Sequence, residues 1–363
     1  MPKYEKREEG VAHRDRGPSS SAFQAAGPVG RRRPAWVTGV GLLVLLVGLA
    51  AVFLVYRQDG AGYPNTIADG AADAEPEVAA LLQEAGQVVD RLLERFPDGV
   101  EALDAIAWAH QRFGKTQEAV AYWQKCVELD PRFASAHYSL GLAAQTGGDL
   151  GTAVGCFGKA AELDPGTSRH SAALGESLLN LGELEEAARV LEKDLEVHPK
   201  STPSLILVGQ VHVRLRQYEK ARQYLETAIE MAPDYTSAYY GLGTACAKLG
   251  DREKAKEYLD RFKVLKARDE QAHRDELKTA DDVADVRTGL AEFYTAAGKV
   301  YLAHADVAAA QEHLRRASQL DPDFLEPRQV LAWLYQRQGR TDEALRELAA
   351  LEQQATGNPA LCR

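Results

Sequence analysis

Aromatic residues are scarce in this chain, at 7% of 363 residues, and the 45% hydrophobic share consists mainly of Ala, Leu and Val. That mixture favours close helix–helix packing over a β-sandwich. Basic charge is also in deficit, with 43 Lys and Arg against 53 Asp and Glu, a net charge of -10. An acidic body is a poor match for a phosphate backbone, so a nucleic-acid partner is not expected. The four cysteines, Cys126, Cys156, Cys246 and Cys362, form no C-x-x-C pair, which removes the usual zinc and redox motifs. No H-E-x-x-H, G-x-S-x-G, Walker or complete dinucleotide motif occurs, so neither a catalytic residue, a metal ligand nor a cofactor is assigned. Asn65, Asn180 and Asn358 all lack the hydroxyl residue of a glycosylation sequon, which fits a bacterial exported protein better than a secretory-pathway one.

Charge is unevenly placed. Residues 1–34 hold eight basic and four acidic residues, a net of +4, which leaves −14 for the remainder. This segment is nearly free of aromatics and reads as a disordered cytoplasmic tail. Residues 35–56 (AWVTGVGLLVLLVGLAAVFLVY) then run 22 positions without a charge. At about 1.5 Å per residue such a helix spans roughly 33 Å, enough for a hydrocarbon core of about 30 Å. Trp36 and Tyr56 stand at its ends, and Arg31, Arg32 and Arg33 precede it. The positive-inside rule then puts the N-terminus in the cytoplasm and everything after Arg57 outside it, in the periplasm of a Gram-negative cell. A cleaved signal peptide would have a shorter apolar region and an evident small-residue cleavage site. Residues 57–76, rich in Gly, Ala and Asp, read as a flexible linker.

Beyond the linker, prolines mark a period. Pro97, Pro131, Pro165, Pro199 and Pro233 are each 34 residues apart, and Pro322 follows the same local pattern. With each proline at position 32, the units are 100–133, 134–167, 168–201, 202–235 and 236–269. Position 8 holds Ala107, Gly141, Gly175, Gly209 and Gly243; position 20 holds Ala119, Ala153, Ala187, Ala221 and Ala255. Small residues at both places let two helix axes approach closely. Position 24 holds the bulky Trp123, Phe157, Leu191, Leu225 and Leu259. Gly114, Gly148, Gly182 and Gly250 fit the end of a first helix, and the prolines close the second.

These residues resemble the tetratricopeptide-repeat family over most of 78–358. The fold so implied is all-α, a right-handed superhelix of about seven helix–turn–helix units behind the membrane helix. Residues 77–99 carry a second-helix pattern and read as an N-terminal capping helix, which solenoids need over an open apolar end. The interval from Pro233 to Pro322 exceeds two periods by 21 residues. The surplus, 270–290, reads as a helical insertion, with two further repeats over 291–358 and a tail at 359–363. Cys126 and Cys246 read as packed thiols, with a Cys126–Cys156 bridge left open. His110 and His212, both at position 11, read as interface fillers with one ring nitrogen satisfied.

In the family, positions 2, 5, 9, 12 and 13 of the first helices line a concave groove for a protein or peptide. The resemblance implies a groove of Asp104, Trp108 and Arg112; Tyr138, Leu142 and Gln145; Arg169 and Glu176; Ile206, Gln210, Val213 and Arg214; and Tyr240, Thr244 and Lys248. The later pair would add Lys299, Gln329, Trp333 and Arg337. The Lys and Asn clamp with which one subgroup grips chaperone C-termini is absent, since Asp104/Trp108, Tyr138/Leu142 and Ala172/Glu176 stand in its place. The expected function is therefore a membrane-anchored, non-catalytic scaffold for protein–protein interactions on the extracytoplasmic side of a bacterial membrane. Its alternative is an accessory subunit that presents substrates or partners to a separate envelope enzyme or assembly machine. Self-association through the last repeat stays open.

Overall fold

A computed structural model describes residues 66–69, 74–279 and 282–357. Among them are fifteen α-helices and no strand. The capping helix α1 covers Pro76–Arg95. Five hairpins follow: α2 and α3 (Val100–Arg112, Thr116–Leu129), α4 and α5 (Ala134–Thr146, Leu150–Leu163), and α6 and α7 (Ser168–Leu181, Leu184–Val197). Next come α8 and α9 (Thr202–Arg214, Tyr218–Met231), then α10 (Thr236–Leu249) with the long α11 (Arg252–Thr279). The last four helices are α12 (Asp282–Ala303), α13 (Val307–Leu320), α14 (Glu326–Arg337) and α15 (Thr341–Gly357). No helix among the described residues is long and apolar enough to cross a membrane; the apolar stretch 35–56 lies outside them, as does the tail 359–363.

Each hairpin closes where position 8 of its first helix meets position 24 of its second. A methyl added at Gly175 would sit 2.5 Å from Leu191, one at Gly209 2.5 Å from Leu225, and one at Gly141 2.6 Å from Phe157. The same contact recurs at Gly243 on Leu259 and at Gly298 on Leu314. Thus the 34-residue rhythm records a steric constraint, which explains why the filler opposite Gly is always large. Ala119, Ala153, Ala187, Ala221 and Ala310 are fully buried beside that crossing.

The first helices end on a left-handed residue. Gly182 (φ 85°) and Gly250 (φ 88°) take this conformation without cost. At the equivalent places, however, Arg216 and Ala305 adopt φ 60°. The Ala305 turn is a Schellman motif, with Asp306 N–H donating to Tyr301 O at 2.9 Å. It is built although its left-handed residue carries a Cβ.

The 21-residue surplus lengthens two helices. α11 runs 28 residues, about 42 Å at 1.5 Å per residue, and α12 runs 22. The consequence departs from a continuous stack. α12 packs on α13 but also on α1 and α2, and α14 packs on α13, so the last two hairpins are seated at the opposite end of the array from α10 and α11. The chain closes on itself. One apolar core joins Ile67, Val88, Val89 and Leu92 to Ile106 of α2, to Leu290, Phe293 and Ala297 of α12, and to Ala310 and Ala317 of α13. Phe96 meets the Tyr301 ring edge-on at 5.3 Å.

Ion pairs fix the register of this seam. Arg316 holds Glu84 through two bonds of 2.6 and 2.7 Å, and Tyr294 donates to Glu84 at 2.8 Å. Arg287 pairs with Glu77, and Arg112 binds both oxygens of Asp285 at 2.6 and 3.0 Å. Since Glu77, Glu84 and Phe96 meet Arg287, Tyr294 and Tyr301 in that order, α1 and α12 run in the same direction. Arg316 holds the Glu84 carboxyl below its ordinary value. Part-exposed pairs of this kind contribute at most about 1 kcal/mol each, whereas a buried Phe or Leu contributes about 1.5–3 kcal/mol. The apolar core therefore holds the seam, and the charges choose its alignment.

Two expectations change here. The capping helix does not end the array, because α12 covers it. The stretch 57–76 is not flexible throughout, because Ile67 is fully buried, Thr66 Oγ1 donates to Glu118 at 3.1 Å and Lys115 Nζ donates to the carbonyl of Asp69 at 3.2 Å. The composition of that stretch concealed one apolar residue with a socket to fill.

Two substitutions test the hairpin geometry with opposite signs. Gly209→Val should cost about 2–3 kcal/mol by overpacking against Leu225. Ala305→Gly should stabilise by about 0.5–1 kcal/mol, the relief of a left-handed residue less the entropy of a more flexible unfolded chain. Denaturant unfolding of each variant against the parent reads both.

Candidate functional site

The first helices α6, α8 and α10 pack side by side, Ser135 of α4 bonds to Asp104 of α2, and positions 2, 5, 9, 12 and 13 of the five first helices divide into two groups. Several are structural. Ile206 and Tyr138 are buried, and Leu142, Gln145 and Val213 are half-buried between units. Asp104 accepts from the Trp123 indole N–H and from Ser135 Oγ, each at 2.9 Å, which ties the first unit to the second. Burial pushes its carboxyl up to about 6, against the pull of those two donors. Gln210 donates to Ser237 at 3.3 Å, and Thr244 donates to the Tyr240 carbonyl one turn back at 2.9 Å.

The others face solvent. Trp108 is 40% exposed and Tyr240 57% exposed, although Trp108 stands edge-on to Trp123 and Tyr240 leans on Phe262. Arg169, Glu176, Arg214 and Lys248 are exposed beside them. The Arg169 guanidinium lies 4.5 Å from the Tyr138 ring centre, and Arg214 donates to the Leu179 carbonyl at 2.6 Å. Neither these two arginines nor Lys248 has a carboxylate partner among the described residues. Arg112 differs: Asp285 and Glu292 of α12 occupy it, the latter at 3.6 Å.

The C-terminal members of the expected groove lie elsewhere. Lys299 pairs with Glu326 at 2.5 Å, and Trp333, 49% exposed, lies beneath the Arg337 guanidinium at 5.0 Å. They sit on the pair docked at the N-terminal end, beyond α1, and do not prolong the strip past Lys248. Gln329 is exposed on the same helix. The length of the insertion signalled an interruption but not its direction.

One polar cluster escaped the sequence reading. Asp194, at position 27 where a small residue is usual, is 5% exposed and accepts from Ser168 and Ser204, both at 2.5 Å. Ser201 lies 2.6 Å from Ser168. A carboxylate at an Ala position was the available signal. The cluster combines Ser, His and Asp without the geometry of an activated nucleophile. His198 Nε2 bonds to the Pro165 carbonyl at 3.2 Å and lies 4.0 Å from Asp194, while its link to the serines is through the backbone, its carbonyl accepting from Ser201 N–H at 2.9 Å. The hydroxyls serve to satisfy a buried carboxylate.

The histidines also differ from expectation. Both ring nitrogens of His212 have partners, Gln217 and Glu192, at 2.8 and 3.1 Å. His110 has none for either nitrogen, and burial pulls its pKa down to about 4, so the ring stays neutral against Tyr122. Cys126, Cys156 and Cys246 are free thiols, and burial raises Cys156 to about 11. No group of His, Cys, Asp and Glu among the described residues could hold a metal ion.

The profile of the tetratricopeptide repeat matches residues 213–279 and 301–361 in one form and 105–166 in another. The chain belongs to the tetratricopeptide-repeat family. A profile described as anaphase-promoting complex, cyclosome, subunit 3 covers 146–228 of this repeat protein. Among solved structures, YrrB, titled a TPR protein with an unusual peptide-binding site, is 22% identical over 49% of this chain and 91% of its own, with a TM-score of 0.44. MamA from Desulfovibrio magneticus RS-1 is 23% identical over 46% and 95%, with a TM-score of 0.43. PilF of Pseudomonas aeruginosa is 18% identical over 69% and 99%, with a TM-score of 0.40. No curated protein matches.

Asp104 gives the repeat face a pH signature. Its raised carboxyl takes up a proton in the folded state before the unfolded chain does, so its burial penalty is relieved as pH falls through about 6 toward the ordinary 3.8. Relative to Asp104→Asn, the parent protein should gain roughly 3 kcal/mol across that interval, read by denaturant unfolding at each pH.

Proposed function

We propose that this tetratricopeptide-repeat protein is a non-catalytic scaffold that holds a partner protein along the concave face of α2 to α10 and is tethered to a membrane by residues 35–56. The observation that carries the reading is the strip of Trp108, Arg169, Arg214, Tyr240 and Lys248. These large side chains are exposed, with Glu101 and Glu176, on a face whose apolar members Tyr138, Leu142, Ile206 and Val213 are used in packing. Two exposed aromatics with adaptable long cations make a surface suited to a peptide or partner helix.

The tether is argued from the uncharged 22-residue run and from the basic residues before it. The same charge bias favours an extracytoplasmic repeat domain, periplasmic if the cell is Gram-negative. With Ile67 buried in the repeat body, residues 57–65 can separate that body from residue 56 by at most about 30 Å. A scaffold so tethered works close to the membrane surface.

A photo-crosslinking residue in place of Trp108, used in intact membranes, tests the scaffold. Capture of a defined protein, absent when the crosslinker is placed at the buried Val208, is the expected result. Failure to capture any protein contradicts it. A phosphatase reporter fused at the C-terminus tests the sidedness, where activity supports export and its absence removes that claim.

A further inference from the structure

We infer that the concave strip takes an acidic, extended polypeptide segment, with carboxylates seated on Arg214 and Lys248. This deepens the scaffold reading and rests on it. The chain as a whole is acidic, at -10, and Arg169 shares its part of the strip with the exposed Glu101 and Glu176, yet at the same positions of α8 and α10 the only charges are Arg214 and Lys248. A local pair of cations on an acidic protein attracts acidic partners and repels basic ones.

The structure also contains an internal instance of the recognition. Arg112, Arg214 and Lys248 occupy the same position, 13, in the first, fourth and fifth units. Arg112 is filled by Asp285 of α12, which accepts both guanidinium bonds, with Glu292 behind it. A position-13 cation at the end of a first helix therefore receives carboxylates from a passing chain in this protein. Arg214, which already donates to the Leu179 carbonyl, and Lys248 present cations at the same position without a carboxylate among the described residues.

Spacing limits the ligand. Adjacent first helices pack about 8–10 Å apart, so Arg214 and Lys248 match carboxylates about three residues apart in an extended chain. Spanning from Trp108 to Tyr240 crosses four such intervals, which calls for a segment of about 12 residues. Trp108 and Tyr240 then cover its two ends.

The test uses the full chain in detergent micelles and fluorescence anisotropy with labelled peptides of about 12 residues, bearing Glu, Gln or Lys at every third position. The Glu peptide should bind at least about tenfold more tightly than the Gln peptide, with an affinity that falls as salt rises. Lys248→Glu should lower it by about tenfold, and the fold is safe because that exposed ammonium has no partner among the described residues. Arg214→Glu should act likewise if circular dichroism shows the variant folded. Equal binding of the Glu and Gln peptides, or tighter binding of the Lys peptide, overturns the acidic assignment. If those peptides still lose affinity on Trp108→Ala with Tyr240→Ala, the groove itself stands. If no peptide binds, or binding survives that double change, the inference and the groove both fall.

Discussion

The seating of α12 against α1 and α2 is the interaction on which the rest of the molecule depends. A solenoid of hairpins has two apolar ends, and each must be covered or it becomes a site of association. Here the N-terminal end is covered by a helix from beyond residue 281, and the core formed there is the largest in the structure. It draws in the segment before α1 through Ile67 and the last hairpins through α13. The segment around Ile67, the first unit and the C-terminal pair thus share one core, and the order of the units in space departs from their order in sequence.

This closure also explains the division of the charged face. Arg112 would belong with Arg214 and Lys248 in an open array, but α12 claims it. What remains free is the part of the strip away from the seam. Pairing Arg112 with Asp285 contributes little by itself, since both groups are partly exposed. Its effect is on register: it fixes which turn of α12 meets the last turn of α2, where Gly289 leaves space for the arginine stem.

The helical hairpins were legible because their constraint is local. Gly175 and Leu191 lie in one unit, and the contact between them repeats wherever the 34-residue spacing does. The lengthened α11 and α12 were equally visible as a surplus of charged, helix-compatible sequence. Where α12 docks was not, because it depends on apolar faces more than 170 residues apart, such as Ile106 and Leu290. Nothing in the spacing of Leu290, Phe293 and Ala297 distinguishes packing on α10 from packing on α1. Of the residues expected on that face, Trp108 and Tyr240 are exposed, while Ile206, Tyr138 and Asp104 are consumed by packing. Position alone cannot separate these, since a large residue on an inner face serves either purpose until its neighbours are known.

The most direct measurement is the distance between α1 and α13 in solution. Spin labels placed by Glu84→Cys and Arg316→Cys, in a background with the native cysteines replaced, report it by pulsed electron paramagnetic resonance. The closed arrangement requires labels near contact, because these two side chains touch at 2.6 Å. A distance on the order of 50 Å, five unit widths of about 10 Å, would instead place the last hairpins at the far end of an open stack and contradict the account.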